Sequence, residues 1–188
     1  WEGDPHSPWL VELLDLLRCH GLQVDVLAPA HRGLGDHVVH GMTVHRFRYA
    51  PARWETLTHE EGAPNKIRVN PLYLLLVPLY LLAGAWAALR IGRQGRYDLI
   101  HVYWPVPGGL FGLAARWAGG GRLIVTVLGA ELILARRFFF ATPFMKLVAR
   151  QAQAVAAISS FTSRELTALT GVVPVLIPFG VDVPPESK

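Results

Sequence analysis

Seven polar or aromatic residues directly follow short apolar runs, and these are the chain's candidates for chemistry. They are His31, Arg32, Tyr103, Trp104, Glu131, Ser159 and Ser160. Carboxylates, hydroxyls and imidazoles hydrogen-bond a ligand or move its protons, and the exposed amides of a helix start bind phosphate. Where apolar runs form parallel strands, ligands bind in the crevice beyond the carboxyl ends of those strands. We therefore expect the functional site at these strand ends.

Several other kinds of chemistry are not supported by the sequence. It has no G-x-G-x-x-G after a strand, no G-x-x-x-x-G-K-[ST] and no G-x-S-x-G, so it lacks the usual phosphate cradles and the hydrolase elbow. The single thiol, Cys19, falls on a predicted helix, and the eight histidines are scattered without ligand spacing. We predict no metal site and no cofactor.

Composition predicts one globular domain with a partner that carries phosphates. The 188 residues are 52% hydrophobic and 17% charged, which suits a single buried core. One cysteine favours a reducing compartment. The net charge of +4 fits lipid head groups, nucleotides or nucleic acid, and charge alone does not choose among them. Because no nucleic-acid motif is present, nucleic acid is not a predicted partner.

The order of predicted elements alternates strand and helix. The first half gives a helix from Pro8 to about Cys19, strands at 22–28 and 42–49, a loop at 31–41 and an irregular excursion at 50–70. From Tyr97 the pattern is regular, with strands at 97–103, 122–128, 154–158 and 174–178, and helices at 108–117, 144–153 and from Ser159 or Ser160 onward. Such alternation predicts an α/β fold with a Rossmann-like, doubly wound parallel sheet.

Two segments raise the question of a membrane. Residues 72–89 carry no charge and reach the length of a membrane span, but Pro78 and Gly84 interrupt them and regular alternation resumes afterwards. A buried or interfacial helix is therefore favoured over a span. Residues 136–140 set two arginines beside three phenylalanines, which suits either a membrane interface or an ordinary packing cluster.

Four motifs in order resemble the N-terminal domain of retaining GT-B glycosyltransferases of the family 4 type. YDLIHVYWPVPGG resembles the family's D-x-x-H-x-H-W-x-x-P-x-G strand and loop, and LIVTVLGAEL its T-x-H-G-x-D turn. VAAISSFTSREL is similar to its helix start, and VLIPFGVD to its v-I-P-x-G-V-D segment. LLRCHGLQVDVLAP upstream is also similar, so the resemblance covers nearly the whole chain.

The resemblance implies a function and a domain plan. It implies transfer of a sugar from a nucleotide-sugar donor to a hydroxyl acceptor, which is a lipid, polysaccharide or small molecule, with anomeric retention. Residues 1–183 would form the acceptor-side domain and 184–188 the start of a linker, while the first strand and the donor-binding C-terminal domain are missing. The fragment alone is then expected to be inactive. The expected location is cytoplasmic, with peripheral contact at the inner face of the membrane through 72–89 and 136–140.

The resemblance also suggests site residues. Glu131 takes the acidic position of the turn and is the predicted catalytic residue, with a solvated or helix-capping role as the alternative. Predicted substrate-binding residues, besides Glu131, are Gly3, Tyr103, Trp104, Gly129 and Ser159. Trp104 would form a wall of the acceptor pocket or pack under the Pro-rich loop.

Two positions depart from the family pattern. Leu128 and Tyr103 stand where the family has histidines, so no imidazole is available there, and His101 is predicted to be a hydrogen-bonded core residue. These departures keep open the alternative that the chain is a non-catalytic α/β binding or membrane-associated module.

Overall fold

The computed structural model describes residues 8–59, 62–94 and 97–180. The chain forms two compact units, Trp1–Ala87 and Ala88–Lys188. The predicted linker at 184–188 lies outside the described residues. The α/β, Rossmann-like fold class is confirmed, but the described strands form two sheets, one in each unit.

The first unit contains a three-stranded sheet and several short helices. Its elements are α1 (Pro8–Cys19), β1 (Asp25–Pro29), β2 (His37–Val39), β3 (Met42–Phe47), a 3-10 helix (Ala52–Trp54), α2 (Gly62–Val69), a second 3-10 helix (Pro71–Leu75) and the start of α3 (Leu76–Gly92). The strand order is β1-β3-β2, with β1 parallel and β2 antiparallel to β3.

Two predictions for this unit are wrong. The predicted loop at 31–41 contains β2, because His40 and Gly41 have positive φ values of 49° and 77° and form a two-residue hairpin turn into β3. The predicted irregular excursion at 50–70 contains α2, whose sequence GAPNKIRV has few apolar residues to reveal a helical period.

The second unit is a four-stranded parallel sheet flanked by helices. Its elements are β4 (Leu99–Tyr103), α4 (Pro105–Trp117), β5 (Arg122–Val127), α5 (Ala130–Arg137), α6 (Ala141–Gln151), β6 (Ala154–Ala157), α7 (Ser160–Thr170) and β7 (Val175–Leu176). The strand order is β4-β5-β6-β7, and all neighbours are parallel. All four predicted strands of this unit are present, while α5 was not predicted.

The core of the second unit lies between this sheet and its helices. β5 contributes Leu123, Val125 and Val127, each 1% exposed, because these alternate residues share the face of the sheet that the helices cover. Leu113 of α4 and Val148 of α6 pack into the same cluster.

The segment from Pro71 to Gly92 is an apolar helix whose large side chains are mostly exposed. Tyr80 anchors it in the first unit, with its ring centroid 5.3 Å from that of Phe47 and 5.4 Å from that of Tyr49. The opposite side presents a row of exposed residues, here called the leucine surface: Leu72, Leu74, Leu75, Leu79, Leu82 and Trp86, each at least 50% exposed. The most apolar 18-residue window of the segment has a mean hydropathy of 2.0 and is only 17% buried, so the expectation of a buried helix is wrong and that of an interfacial helix stays a prediction.

Gly112 allows α4 to approach the sheet closely. A Cβ at this position would lie 2.4 Å from Cγ2 of Val102 and 2.9 Å from Cδ1 of Leu123. We expect Gly112→Ala to lower the free energy of unfolding by about 1–2 kcal/mol, because the overpacking outweighs the gain in helix propensity. Chemical denaturation measures this loss. Gly180→Ala is the control, since its Cβ would meet no atom within 4 Å. An unchanged stability of Gly112→Ala would contradict the packing described for α4.

Candidate functional site

The parallel register brings the carboxyl ends of the second unit's strands to one edge of the sheet. Tyr103 at the end of β4 lies opposite Thr126, and Val127 at the end of β5 lies opposite Ala157 of β6. Neighbouring strands are about 4.8 Å apart, so the ends of β4 and β6 are separated by about 10 Å. Among the predicted site residues, Tyr103, Trp104, Gly129, Glu131 and Ser159 all lie at this edge.

Glu131 holds the turn between β5 and α5. Its two carboxylate oxygens accept hydrogen bonds from the backbone amides of Leu128 and Gly129, at 2.7 and 3.0 Å. The residue is only 1% exposed. Burial raises the pKa of Glu131 above its ordinary value, and the backbone amides act in the opposite direction. This geometry agrees with the helix-capping alternative, while a catalytic contact of Glu131 stays a prediction.

Gly129 and Ser159 lie close together across the ends of β5 and β6. Gly129 has a φ of 118°, which an L side chain rarely adopts, and a Cβ there would lie 3.7 Å from Oγ1 of Thr162. Ser159 caps α7 by accepting a hydrogen bond from the amide of Thr162 at 3.1 Å. The two hydroxyl oxygens of Ser159 and Thr162 are 2.9 Å apart. A pair of hydroxyls and a glycine turn therefore occupy the middle of the edge.

Trp104 connects β4 to α4 in an uncommon backbone conformation. Its φ of 55° and ψ of 83° lie in the left-handed region, which costs a residue other than glycine about 1–3 kcal/mol. Its carbonyl accepts a hydrogen bond from the amide of Gly108 at 3.1 Å. Val106 before Pro107 is extended, so the regular helix begins near Gly108, as predicted. The loop thus fixes the half-buried indole of Trp104 at the carboxyl end of β4.

His101 was predicted to be a hydrogen-bonded core histidine, and only half of that prediction is confirmed. Its Nε2 lies 2.8 Å from Oγ1 of Thr126, and its ring centroid is 4.3 Å from that of Tyr103. The residue is exposed, however, because β4 is the outer strand of this sheet among the described residues. Desolvation of the part of the ring that its neighbours cover lowers the pKa of His101.

Other predicted residues lie elsewhere. Gly3 falls outside the described residues. His31 and Arg32 belong to the first unit, where they follow β1. The part of the chain that the structure describes holds no cluster of three or more potential metal ligands.

Sequence reasoning missed the hydroxyls of Thr126 and Thr162. Both are buried, at 6% and 3% exposure. Thr162 was signalled by its place three residues after the Ser159 cap, a spacing at which side chain and backbone meet. Thr126 gave no such signal, because a threonine within a strand is ordinary.

The fold and the edge define a Rossmann-like α/β domain that presents hydroxyls, an indole and a capped helix start beyond its strand ends. The model of Glycosyltransferase Family 4 matches residues 9–184. The chain belongs to this family, and its membership supports a glycosyltransferase-type function. No curated protein matches the chain at a significant level.

The capping role of Glu131 predicts a loss of stability on substitution. In Glu131→Gln the amide nitrogen faces one of the two backbone amides, so we expect the free energy of unfolding to fall by about 2 kcal/mol. Hydrogen exchange at Leu128 and Gly129 should become faster as well. Denaturation and amide-exchange measurements check the two effects.

Glu165→Gln is the matched control for Glu131→Gln. Glu165 on α7 pairs with the exposed Arg136, so its loss is expected to cost less than about 1 kcal/mol. Equal effects of the two substitutions would contradict the capping role.

Proposed function

We propose that the chain forms the acceptor side of a glycosyltransferase that moves a sugar from a nucleotide-sugar donor to a hydroxyl acceptor with anomeric retention. The observation that carries this proposal is the family match over residues 9–184, which spans the strand edge with Trp104, Gly129 and Ser159. The acceptor is a lipid, a polysaccharide or a small molecule.

The residues at the edge suit a hydroxylated acceptor. The indole of Trp104 offers a flat apolar face with one N–H, a combination that suits the faces of sugar rings. Tyr103 and Ser159 add hydroxyls that donate and accept hydrogen bonds. The backbone at Gly129 has no side chain to keep a ligand away. In this proposal Glu131 is a positioning residue, because its carboxylate holds the amides of the turn.

The donor is proposed to bind a second Rossmann-like domain. Residues 1–183 would then form one domain and 184–188 the start of the linker. The 188-residue chain by itself is expected to give no turnover with nucleotide sugars. Turnover by the chain alone would overturn this division of labour.

One set of observations favours a second candidate, a non-catalytic binding module. Leu128 and Tyr103 provide no imidazole at the strand ends, and the buried carboxylate of Glu131 is bonded to backbone amides. The absence of sugar transfer by the complete gene product, with a panel of nucleotide sugars and acceptors, would favour this candidate.

The acceptor role of Trp104 predicts a specific kinetic change. In the complete enzyme, Trp104→Ala should raise the acceptor KM about tenfold, since a lost ring contact is worth about 1–1.5 kcal/mol. The KM for the nucleotide sugar should stay unchanged. Trp117→Ala is the matched control, because Trp117 is the last residue of α4 and is 65% exposed. Equal KM values for Trp104→Ala and the unsubstituted enzyme would remove Trp104 from the acceptor site.

NMR of the product tests the proposed retention of anomeric configuration directly.

Peripheral membrane contact is a further part of the proposal, with a cytoplasmic location at the inner face of the membrane. The leucine surface supports it, because exposed apolar area of this extent is rare on soluble proteins. In the second unit, Phe139 is 93% exposed and Arg137 lies 5.9 Å from the ring of Phe138. Cations beside aromatic rings suit the head-group region.

Vesicle flotation tests the contact made by the leucine surface. Leu82→Asp should weaken binding to neutral phosphatidylcholine vesicles by about tenfold or more, because a charge replaces a side chain placed in the interface. Leu16→Asp is the control, since Leu16 is 58% exposed on α1. Resistance of the bound protein to extraction with alkaline carbonate would contradict peripheral contact and favour a span.

A further inference from the structure

The first unit contains a cationic cavity that the proposed transfer reaction does not use. It has a volume of about 650 Å³, and its lining includes Arg32, Arg53, Thr56, Lys66 and Tyr73. Among these described residues are three cations and no carboxylate. A cavity lined by like charges attracts an anion and concentrates it locally.

A buried carboxylate outside the lining fixes one wall of this cavity. Glu55 is 0% exposed and accepts hydrogen bonds from Nε of Arg48 at 2.9 Å and from the amide of Gly33 at 2.8 Å. The amide of Arg32 lies 3.4 Å from the carbonyl of Glu55. These contacts hold Arg32 at a φ of 47°, a conformation that is uncommon for a residue other than glycine. The turn that carries Arg32 is therefore set before any ligand arrives.

Another part of the lining combines a cation with hydroxyls. Nζ of Lys66 donates a hydrogen bond to the carbonyl of Thr56 at 2.6 Å and lies 6.0 Å from the ring centroid of Tyr73. The hydroxyls of Thr56 and Tyr73 are 3.1 Å apart. An ammonium group with three donors and two nearby hydroxyls has the donor capacity that phosphate oxygens need. Arginine adds the planar fork that binds phosphate through two parallel bonds.

The cavity directly adjoins the apolar part of the same unit. Val69, Asn70 and Tyr73 line it, and the exposed Leu72, Leu74 and Leu75 belong to the same turn of chain. Cations and exposed leucines are thus adjacent along a few residues. A ligand with an anionic group and a long apolar part matches both features, whereas a free phosphate matches only the first.

We propose that this cavity binds the phosphate of an anionic glycerophospholipid whose acyl chains lie against the leucine surface. Arg32, Arg53 and Lys66 neutralise the phosphate, and the hydroxyls of Thr56 and Tyr73 donate to its oxygens. The site orients the first unit on an anionic bilayer. It rests on the proposed membrane contact of the leucine surface and is independent of the transferase chemistry, and binding to pure phosphatidylcholine tests that contact separately.

The test compares vesicles of pure phosphatidylcholine with vesicles that contain phosphatidylglycerol, using flotation of the 188-residue chain. Arg53→Gln should weaken binding to phosphatidylglycerol vesicles about fivefold, and Arg53→Gln with Lys66→Gln about 25-fold. Binding to pure phosphatidylcholine should not change. Arg68→Gln is the matched control, because this substitution removes the same charge from an exposed residue of α2 that does not line the cavity. Its loss should be less than twofold.

Circular dichroism of each variant checks that the fold is kept. Arg53→Lys keeps the positive charge and should therefore keep most of the binding that Arg53→Gln loses. Equal losses for Arg53→Gln and Arg68→Gln would overturn the proposal, because they would indicate diffuse attraction. Complete displacement from phosphatidylglycerol vesicles by millimolar inorganic phosphate or glycerol phosphate would also overturn it, since the site would then serve soluble phosphates. Weak displacement by these anions supports the lipid assignment.

Discussion

In each unit of this protein, a buried carboxylate holds a strand-end turn by accepting hydrogen bonds from backbone amides. Glu131 does this after β5, where the amides of Leu128 and Gly129 would otherwise lack partners in a largely apolar environment. Glu55 does the same in the first unit, where it accepts the amide of Gly33 after β1. In both turns the glycine has a positive φ, 118° at Gly129 and 87° at Gly33. Backbone amides that leave a strand lose their partners in the sheet, and here a glutamate side chain accepts their hydrogen bonds instead.

The two carboxylates differ in their neighbours, and the difference separates the roles of the turns. Glu55 also pairs with the guanidinium of Arg48, at 2.9 Å from Nε to Oε1. Glu131 accepts hydrogen bonds from two backbone amides, and burial raises the pKa of Glu131. The proposed anion site lies beside the first arrangement, and the proposed acceptor site lies beside the second.

Much of the second unit could be predicted from the sequence, because its strands are short apolar runs bounded by glycine, proline and serine. Because parallel strands have their carboxyl ends at the same edge of a sheet, the predicted strands were enough to predict that Trp104, Gly129 and Ser159 lie at one edge. The role of the Glu131 carboxylate could not be decided in this way, since an acidic residue at a helix start has the same pattern whether it faces solvent, a ligand or its own backbone. Its 1% exposure and its two amide contacts are tertiary facts.

The first unit was harder to predict for related reasons. β2 is three residues long and its signal is the His40–Gly41 turn rather than its own residues. α2 has few apolar residues, so its sequence shows no helical period of apolar positions from which the helix could be predicted. The cavity joins Arg32 to Arg53 and Lys66, which are far apart in the sequence and carry no common motif. Composition did indicate a phosphate-bearing partner, but charge alone does not say where cations converge.

The leucine surface also governs how this protein behaves in water. An apolar strip of this kind is hidden either by an amphiphile or by another copy of the same strip, because both remove the same area from solvent. The size of particles formed in buffer without lipid or detergent then reflects the covering of these leucines. Such particles would be a product of the solvent rather than the assembly in which the protein acts.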